Sequence, residues 1–100
     1  MPEFVLTNAA KADLKSIGRY TQDTWGVEQR NRYLALLDRS FHDLAANPLM
    51  GRDCGYIRPG YRKHHAGKHL VFYRQGETDQ IEIVRILHER MDVDACLSES

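Results

Sequence analysis

The residues best suited to chemistry lie in one basic, histidine-rich stretch in the second half of the chain. From Arg58 to Arg74 the sequence contains five Lys or Arg residues, three His residues and no acid. Fixed positive charges can bind an anion, and imidazoles that titrate near neutral pH can donate or accept a proton. A solvated face explains the same charge pattern equally well. Any function is expected on or beside this stretch.

Two further candidates lie in the apolar run that follows, from Ile81 to His88. Arg85 stands between apolar neighbours, where an unpaired charge is costly, so we expect an ion pair with an acid such as Asp92. Contact with a bound anion is the functional alternative. His88 is either a general acid or base, or a residue that closes the end of the sheet.

Length and composition predict one ordinary globular domain. The chain has 100 residues, of which 42% are hydrophobic and 28% charged. This length and composition suffice for a modest hydrophobic core without stabilising disulfides or metal ions. We expect a single domain over 1–100, with a frayed tail over about 95–100. The formal net charge is zero, so global charge argues neither for nor against nucleic acid. Over residues 77–99 the acids outnumber the Lys and Arg residues, which are only Arg85 and Arg90, so the positive charge is confined to a local patch.

Cysteine usage and hydropathy predict a cytoplasmic protein without a metal or other cofactor. Cys54 and Cys96 lack the spacing of a zinc site, and two cysteines do not make a disulfide framework. The first residues lack the features of a signal peptide, and no apolar run approaches the length of a membrane helix. We therefore expect both thiols to be reduced.

Two helices are predicted after a short N-terminal strand. Phe4, Val5 and Leu6 form an apolar run suited to an edge strand, and Thr7 is a good N-cap for a helix from Asn8. Gly26 stops that helix. Both helices carry apolar stripes at helical spacing, which are Ala10, Leu14, Ile17, Thr21 and Trp25 in the first and Leu34, Leu37, Phe41 and Leu44 in the second. The short break between them indicates an antiparallel helical hairpin.

The remaining chain predicts a small sheet. The second helix spans about Val27–Ala46 and ends at Asn47-Pro48, after which residues 48–60 are mainly loop, with a strand beginning near Tyr56 or Arg58. Firm strands are expected at 69–74 and 80–88, joined by a turn over 75–79.

Faces and topology follow from these elements. Alternation in the last strand puts Ile81, Ile83 and Leu87 on one face and Val84 and Ile86 on the other, which indicates a central strand. The fold class is α+β in the order β-α-α-β-β-β, with the helical hairpin packed on one face of a mostly antiparallel sheet and a short C-terminal turn or helix.

The sequence also resembles a known family. The order of elements, the opening Leu6-Thr7-x-x-Ala10, the loop Asn47-Pro48-x-x-Gly51 and the run IEIVRILHERMD from Ile81 to Asp92 are similar to the ParE branch of the RelE/ParE toxin superfamily. This resemblance covers nearly the whole chain. It implies a bacterial type II toxin that a cognate ParD-like antitoxin neutralises in a hetero-oligomeric complex.

Two activities are associated with that superfamily: ParE-type toxins inhibit DNA gyrase, whereas RelE-type toxins cut mRNA on the ribosome. In the resemblance, Lys63 and His65 fall at two basic positions of the ribonuclease pattern. Leu70, Glu89 and Val93 stand where it has two arginines and a tyrosine. Leu70 cannot bind phosphate and Glu89 repels it, which favours gyrase inhibition. A shift of one residue in the alignment would place Arg90 at the second arginine position of the pattern. The alternative ribonuclease set is then Arg58, Lys63, His65, Arg85, His88 and Arg90.

Candidate contact surfaces are predicted on the same basis. Contacts with the target or another anion are expected among Arg58, Arg62, Lys63 and Lys68, without sequence-specific DNA binding by this chain. Strand alternation separates Arg62 and His64 from Lys63 and His65, so the whole set cannot face one way.

Contacts with the antitoxin are expected at Phe4, Val5, Leu6 and Trp25. An exposed edge strand suits the addition of a partner strand. Trp25 and Tyr20 are otherwise expected in the core, because their spacing continues that of Leu14 and Ile17. A component that only assembles with its antitoxin, without toxicity, is the remaining alternative.

Overall fold

The protein is an α+β domain in which two helices pack on a five-stranded sheet. The computed structural model describes residues 4–76 and 80–90. Its elements are β1 (Phe4–Leu6), α1 (Asn8–Trp25), α2 (Val27–Ala46), β2 (Arg52–Asp53), β3 (Tyr61–Ala66), β4 (His69–Gln75) and β5 (Ile81–His88). The predicted α+β fold is confirmed, with one additional two-residue strand, β2.

The helix boundaries follow from local chemistry. The Thr7 side chain accepts a hydrogen bond from the Ala10 backbone N–H at 3.0 Å, which caps α1 as predicted. Gly26 separates the helices with a φ of 97°, a conformation that costs glycine little. Asn47 ends α2, directly before Pro48. The result is the predicted helical hairpin.

The sheet has the strand order β1-β5-β4-β3-β2. β1 pairs in parallel with β5, and the other neighbours are antiparallel. β5 is therefore central, and β1 and β2 form the two edges. The expected start of a strand near Tyr56 or Arg58 is wrong: β3 begins at Tyr61, because the preceding residues turn back over the sheet.

A β-bulge reverses the predicted faces at the end of β5. Tyr73 pairs with Ile83 and Phe72 with Arg85, so Val84 is an extra residue on β5. Beyond the bulge the alternation restarts. Ile86 therefore lies on the helix-covered side with Ile81 and Ile83, whereas Leu87 lies with Val84 on the other side. The predicted grouping of Leu87 with Ile81, and of Ile86 with Val84, is wrong for this reason.

The core lies mainly between the helices and one face of the sheet. The buried stripes of the helices meet strand residues there, including Leu37, Phe41, Val71, Ile81 and Ile83. We call this side the covered face. The opposite side, the open face, carries a smaller cluster formed by Cys54, Tyr61, Phe72, Val84 and Leu87, with Ile57 and Leu70 at its margin. Within the described residues, this cluster contains none from α1 or α2.

The expected burial of Trp25 and Tyr20 is wrong. Each side chain is 68% exposed. The buried residues of α1 end at Thr21, so its last turn extends past the part of the helix that contacts the sheet. Spacing alone identified the stripe, but not the point at which the sheet stops covering it.

A buried tyrosine fixes the loop that follows α2. The Tyr73 hydroxyl donates to the Pro48 carbonyl at 2.7 Å and accepts from the Gly51 N–H at 2.9 Å. A Cβ atom on Gly51 would lie 2.4 Å from that hydroxyl oxygen and 2.8 Å from the Lys63 carbonyl oxygen. Glycine is therefore required at position 51 for close approach of the backbone.

Some predictions fall on other residues. The turn over 77–79, the C-terminal turn or helix, the frayed tail, Asp92, Val93 and Cys96 lie outside the described residues. Cys54, in the open-face cluster, is a buried free thiol. Neither helix is long and apolar enough to cross a membrane, in the part of the chain that the structure describes.

Candidate functional site

The first candidate surface is the edge formed by β1. The strand pairs with β5 in the register Phe4–Ile81, Val5–Glu82 and Leu6–Ile83. It is the last strand on its side of the sheet among the described residues, which confirms the predicted edge strand. The Val5 side chain is exposed, while Phe4 and Leu6 are half-buried against the core. The outer backbone groups of β1 are thus placed to pair with an added strand.

An apolar groove opens beside this edge, between β1 and the two helices. Its volume is about 370 Å³. The groove is lined by Phe4, Leu6, Leu14, Leu34 and Phe41, with the charged residues Lys15 and Asp38 also in its wall. Apolar walls with a few charges suit the apolar face of an amphipathic helix. Phe4 and Leu6 belong to this groove, but Trp25 does not line it, since α1 continues about three turns beyond Leu14 to reach Trp25.

The basic residues of β3 are divided between the two faces, as strand alternation predicts. Lys63 and His65 are paired with Phe72 and Leu70 of the open-face cluster, and directly paired residues share a face. Arg62 and His64 alternate with them and lie on the covered side. The Arg62 guanidinium donates to the Gly51 carbonyl at 2.8 Å, so it supports the loop rather than standing free.

The four cationic candidates do not converge on one site. Lys68 lies in the turn between β3 and β4, at the opposite end of β3 from Arg62. Arg58 is half-buried in the loop before β3, where it has a partner within the protein. Lys63 lies on the open face, with its Nζ 3.3 Å from the Tyr56 hydroxyl. The structure therefore separates these residues into at least two locations.

Histidines gather where β4 begins and β5 ends. The His69 and His88 rings meet edge to face with centroids 5.4 Å apart, and His69 Nδ1 contacts the Tyr33 hydroxyl. That hydroxyl also accepts from the Lys68 N–H at 2.9 Å. Burial, reinforced by nearby His88, lowers the pKa of His69. Burial also raises the pKa of Tyr33. The arrangement fastens α2 to the end of the sheet through neutral groups.

His65 and Glu89 are hydrogen-bonded to each other on the surface near this end. His65 Nε2 lies 2.9 Å from a Glu89 carboxylate oxygen. The Glu89 N–H donates to the Lys68 carbonyl at 3.0 Å, which holds the residue after β5 against the β3–β4 turn. A carboxylate at this position repels a phosphate that approaches His65.

Arg85 has the ion pair that the sequence led us to expect, but the partner that the structure shows is Asp13 of α1. Arg85 Nε and Nη2 donate to the two oxygens of Asp13 at 2.8 and 3.1 Å. The Ile86 N–H donates to the same carboxylate at 2.9 Å. Thr7 Oγ1 donates to the Val84 carbonyl at 2.7 Å. The side chains of Thr7 and Asp13 thus satisfy backbone groups of β5 beyond the end of β1, and Arg85 holds Asp13 in position.

The comparisons with known proteins agree with this architecture. The family model described as "ParE toxin of type II toxin-antitoxin system, parDE" matches residues 4–93. Toxin ParE1 of Mycobacterium tuberculosis (strain ATCC 25618 / H37Rv) is 50% identical over 91 residues, covering 91% of this chain and 93% of the relative. Toxin ParE1 of Caulobacter vibrioides is 40% identical over 97 residues, covering 97% and 99%. The chain belongs to the ParE toxin family.

A solved structure has the same fold. The chain is similar to one in the structure titled "Chromosomal ParDE TA system from P. aeruginosa", with a TM-score of 0.74 and 21% identity. The match covers 88% of this chain and 96% of that one. The family match and the similar toxins, together with this shared fold, make the protein a ParE-type toxin of a type II toxin–antitoxin system.

In this ParE-family chain, several residues of the alternative ribonuclease set are engaged by other groups of the protein. Lys63 and His65 face the open side, but His65 is paired with Glu89, and Arg85 is engaged by Asp13. His88 lies against His69, and its Nδ1 accepts from the Arg90 backbone N–H. Leu70 packs at the margin of the open-face cluster. Within the residues described, no cluster of three or more His, Cys, Asp or Glu residues could hold a metal ion.

Sequence reasoning missed two residues that organise this ParE chain. Asp13 stands three residues after Ala10 and four before Ile17, so it lies beside the buried stripe of α1. The available indication was an acid beside the buried stripe of α1, together with a single arginine in the central strand of the sheet that this stripe contacts. The second residue is Tyr33, and nothing in the local sequence pattern connects it with His69.

Proposed function

We propose that this ParE-type toxin acts by inhibiting DNA gyrase and thereby blocks replication, in the cytoplasm and without a cofactor. The family resemblance implies this target. The observation that favours it over mRNA cleavage is the state of the cationic groups: Arg85 is held by Asp13, and Glu89 is paired with His65. A ribonuclease needs cations that converge on one phosphate and stabilise the charge that develops there. The toxin would then act by binding another enzyme rather than as an enzyme itself.

Gyrase would contact the open face. Of the four residues predicted to contact the target, Lys63 projects from this face and has no carboxylate partner among the described residues. Arg58 lies in the loop that covers the same side. Arg62 supports the Gly51 loop and Lys68 lies at the far turn, so we give these two a smaller part in target binding.

The cognate ParD-like antitoxin would occupy the other side of the molecule. An amphipathic helix laid in the apolar groove would bury Leu14 and Leu34, and an extended segment could pair with β1. An antitoxin bound there would meet Phe4, Val5 and Leu6. Trp25 lies beyond the groove on the last turn of α1, where only a longer antitoxin segment would reach it.

The target is tested with purified components. We expect the toxin to inhibit supercoiling by gyrase and to accumulate cleaved DNA complexes, while mRNA on translating ribosomes stays intact. Cleaved mRNA with unaffected gyrase would establish the ribonuclease alternative instead. If neither activity appeared, the protein would be a component that assembles with its antitoxin without toxicity.

The antitoxin surface is tested with two leucines of the same helix. Leu34 lines the groove, whereas Leu36 is 43% exposed and does not line it. Leu34→Ala should weaken antitoxin binding about tenfold, as expected for loss of a central apolar contact. Leu36→Ala should leave the affinity unchanged. Equal effects of the two substitutions, after correction for unfolded protein, would exclude the groove as the docking surface.

A further inference from the structure

The open face carries two cations that face each other across a strand pair. Arg52 of β2 is directly opposite Lys63 of β3 in the antiparallel ladder. Directly paired residues share a face with their Cβ atoms about 5 Å apart, and like charges in that position destabilise a sheet. The neighbouring Asp53 does not relieve the repulsion, because it is opposite Arg62 and alternates to the other side.

Neither cation is neutralised within the described part of the chain. The contacts between basic and acidic side chains found there join His42 to Asp38, His65 to Glu89, Arg74 to Glu82 and Arg85 to Asp13. The Asp53 carboxylate accepts a hydrogen bond from the Gly55 N–H at 2.7 Å. The Arg52–Lys63 pair therefore retains two positive charges side by side, which is the arrangement that one anion between them would stabilise.

An exposed aromatic ring lies beside these charges. Tyr56 is 76% exposed, although large aromatic side chains are usually at least half-buried. Lys63 Nζ lies 5.9 Å from the centre of its ring and 3.3 Å from its hydroxyl. The nearby backbone is held by hydrogen bonds from the Ile57 N–H to the Cys54 carbonyl and from the Cys54 N–H to the Tyr61 carbonyl, both 2.9 Å long. The ring is thus presented on an anchored loop with one side accessible.

We propose that Arg52, Lys63 and Tyr56 form a sequence-independent site for single-stranded nucleic acid. The two cations hold a backbone phosphate, and the Tyr56 ring stacks on an adjacent unpaired base. An exposed ring next to two neighbouring cations favours nucleic acid over an acidic peptide, because a peptide carboxylate needs the cations but not the ring. β2 is at the opposite edge of the sheet from β1, so this site stays accessible when a partner pairs with β1.

The site is tested by measuring the fluorescence anisotropy of a fluorescein-labelled twelve-nucleotide oligothymidylate as the toxin is added, without gyrase. Tyr56→Ala should weaken binding about tenfold, since stacking contributes about 1–3 kcal/mol per base. Tyr56→Phe keeps the ring and should retain most of the affinity. Lys63→Gln should reduce the slope of log K against log salt by about 0.7, the value for one phosphate contact on a single strand.

A matched control lies on the other side of the molecule. Arg39 is an exposed cation of α2, on the helical side of the sheet. Arg39→Gln should change neither the affinity nor the salt slope. An equal loss from Arg39→Gln and Lys63→Gln would show general charge attraction and overturn the proposal. Unchanged binding by Tyr56→Ala would also overturn it, and oligoglutamate of equal charge that competed equally well would identify an acidic peptide site instead. These outcomes do not depend on whether gyrase is the target.

Discussion

The sheet uses its cations in opposite ways at two places. Where β5 continues past the end of β1, Arg85 is bound by both oxygens of Asp13 of α1, and that carboxylate also accepts from the backbone of β5. On the open face, Lys63 and Arg52 lie opposite each other without a carboxylate partner among the described residues. The sequence alone does not distinguish these cations. A cation that is bound by a carboxylate serves folding, whereas a cation without such a partner is available to a ligand. Function is therefore expected where charge is left uncompensated.

Removing the partner of Arg85 should have the largest effect on stability. The Arg85 and Asp13 side chains are only 21% and 15% exposed, so Asp13→Asn leaves a largely buried charge without its counter-ion. We expect the free energy of unfolding to fall by about 3 kcal/mol. Urea unfolding followed by circular dichroism measures it.

The exposed pair between Arg74 and Glu82 is the matched control. The Arg74 side chain is 51% exposed, and surface pairs of this kind contribute no more than about 1 kcal/mol. Glu82→Gln should therefore change the unfolding curve only slightly. If Asp13→Asn were no more destabilising than Glu82→Gln, the structural role given to the Arg85–Asp13 pair would fail.

The loop held by Tyr73 should be next in sensitivity. Gly51→Ala places a methyl group 2.4 Å from the Tyr73 hydroxyl oxygen and 2.8 Å from a backbone oxygen that cannot move easily. We expect a loss of about 2 kcal/mol from overpacking, measured by the same unfolding experiment.

A nearby glycine in a roomier position provides the comparison. A Cβ atom on Gly55 would meet only the Asp53 carboxylate closely, at 3.1 Å, and that side chain can adjust. Gly55→Ala should therefore cost much less than Gly51→Ala. Similar losses from the two would mean that the Tyr73 contact does not fix the loop.

Much of the fold was predictable because local rules determine it. Thr7, Gly26 and Asn47-Pro48 mark the ends of the two helices through capping and backbone restriction, and the structure places the boundaries there. The bulge at Val84 and the two-residue strand β2 were not predictable. Both depend on how a neighbouring strand pairs, which alternation within a single strand does not record.

The candidate sites were predictable to a smaller degree. Alternation correctly separated Lys63 and His65 from Arg62, because it requires only the strand period. The engagement of Arg85 by Asp13 and of His69 by Tyr33 joins residues 72 and 36 positions apart. Such contacts follow from how the helices lie on the sheet, and one sequence does not specify that geometry.

His69 should make stability depend on pH at the covered side. Burial and nearby His88 lower its pKa in the folded protein, so the unfolded chain binds the proton more readily. Stability should therefore be complete above about pH 6.5, the ordinary value for histidine, and should decline as the pH falls below it. The titratable groups that act on His69 are Tyr33 of α2, His88 of β5, Glu89 and Asp13 of α1.

The substitution His69→Asn tests this assignment. Unfolding free energies measured between pH 8 and pH 5 should decline less in His69→Asn than in the wild type. His42→Asn removes an exposed histidine that pairs with Asp38 on α2, and it should leave the wild-type decline in place. A decline in His69→Asn as steep as that of the wild type would place the titrating group elsewhere.

Lys63→Gln should have the smallest effect on stability, and it separates the two kinds of cation most directly. Lys63 has no carboxylate partner among the described residues, and its removal relieves repulsion with Arg52, so the free energy of unfolding should change by no more than about 0.5 kcal/mol. Growth arrest on induction should nevertheless weaken, because the open face is the proposed target surface. Asp13→Asn should weaken growth arrest only in proportion to the loss of folded protein. If toxicity per folded molecule fell in Asp13→Asn and not in Lys63→Gln, the functional surface would lie around the contact between α1 and β5.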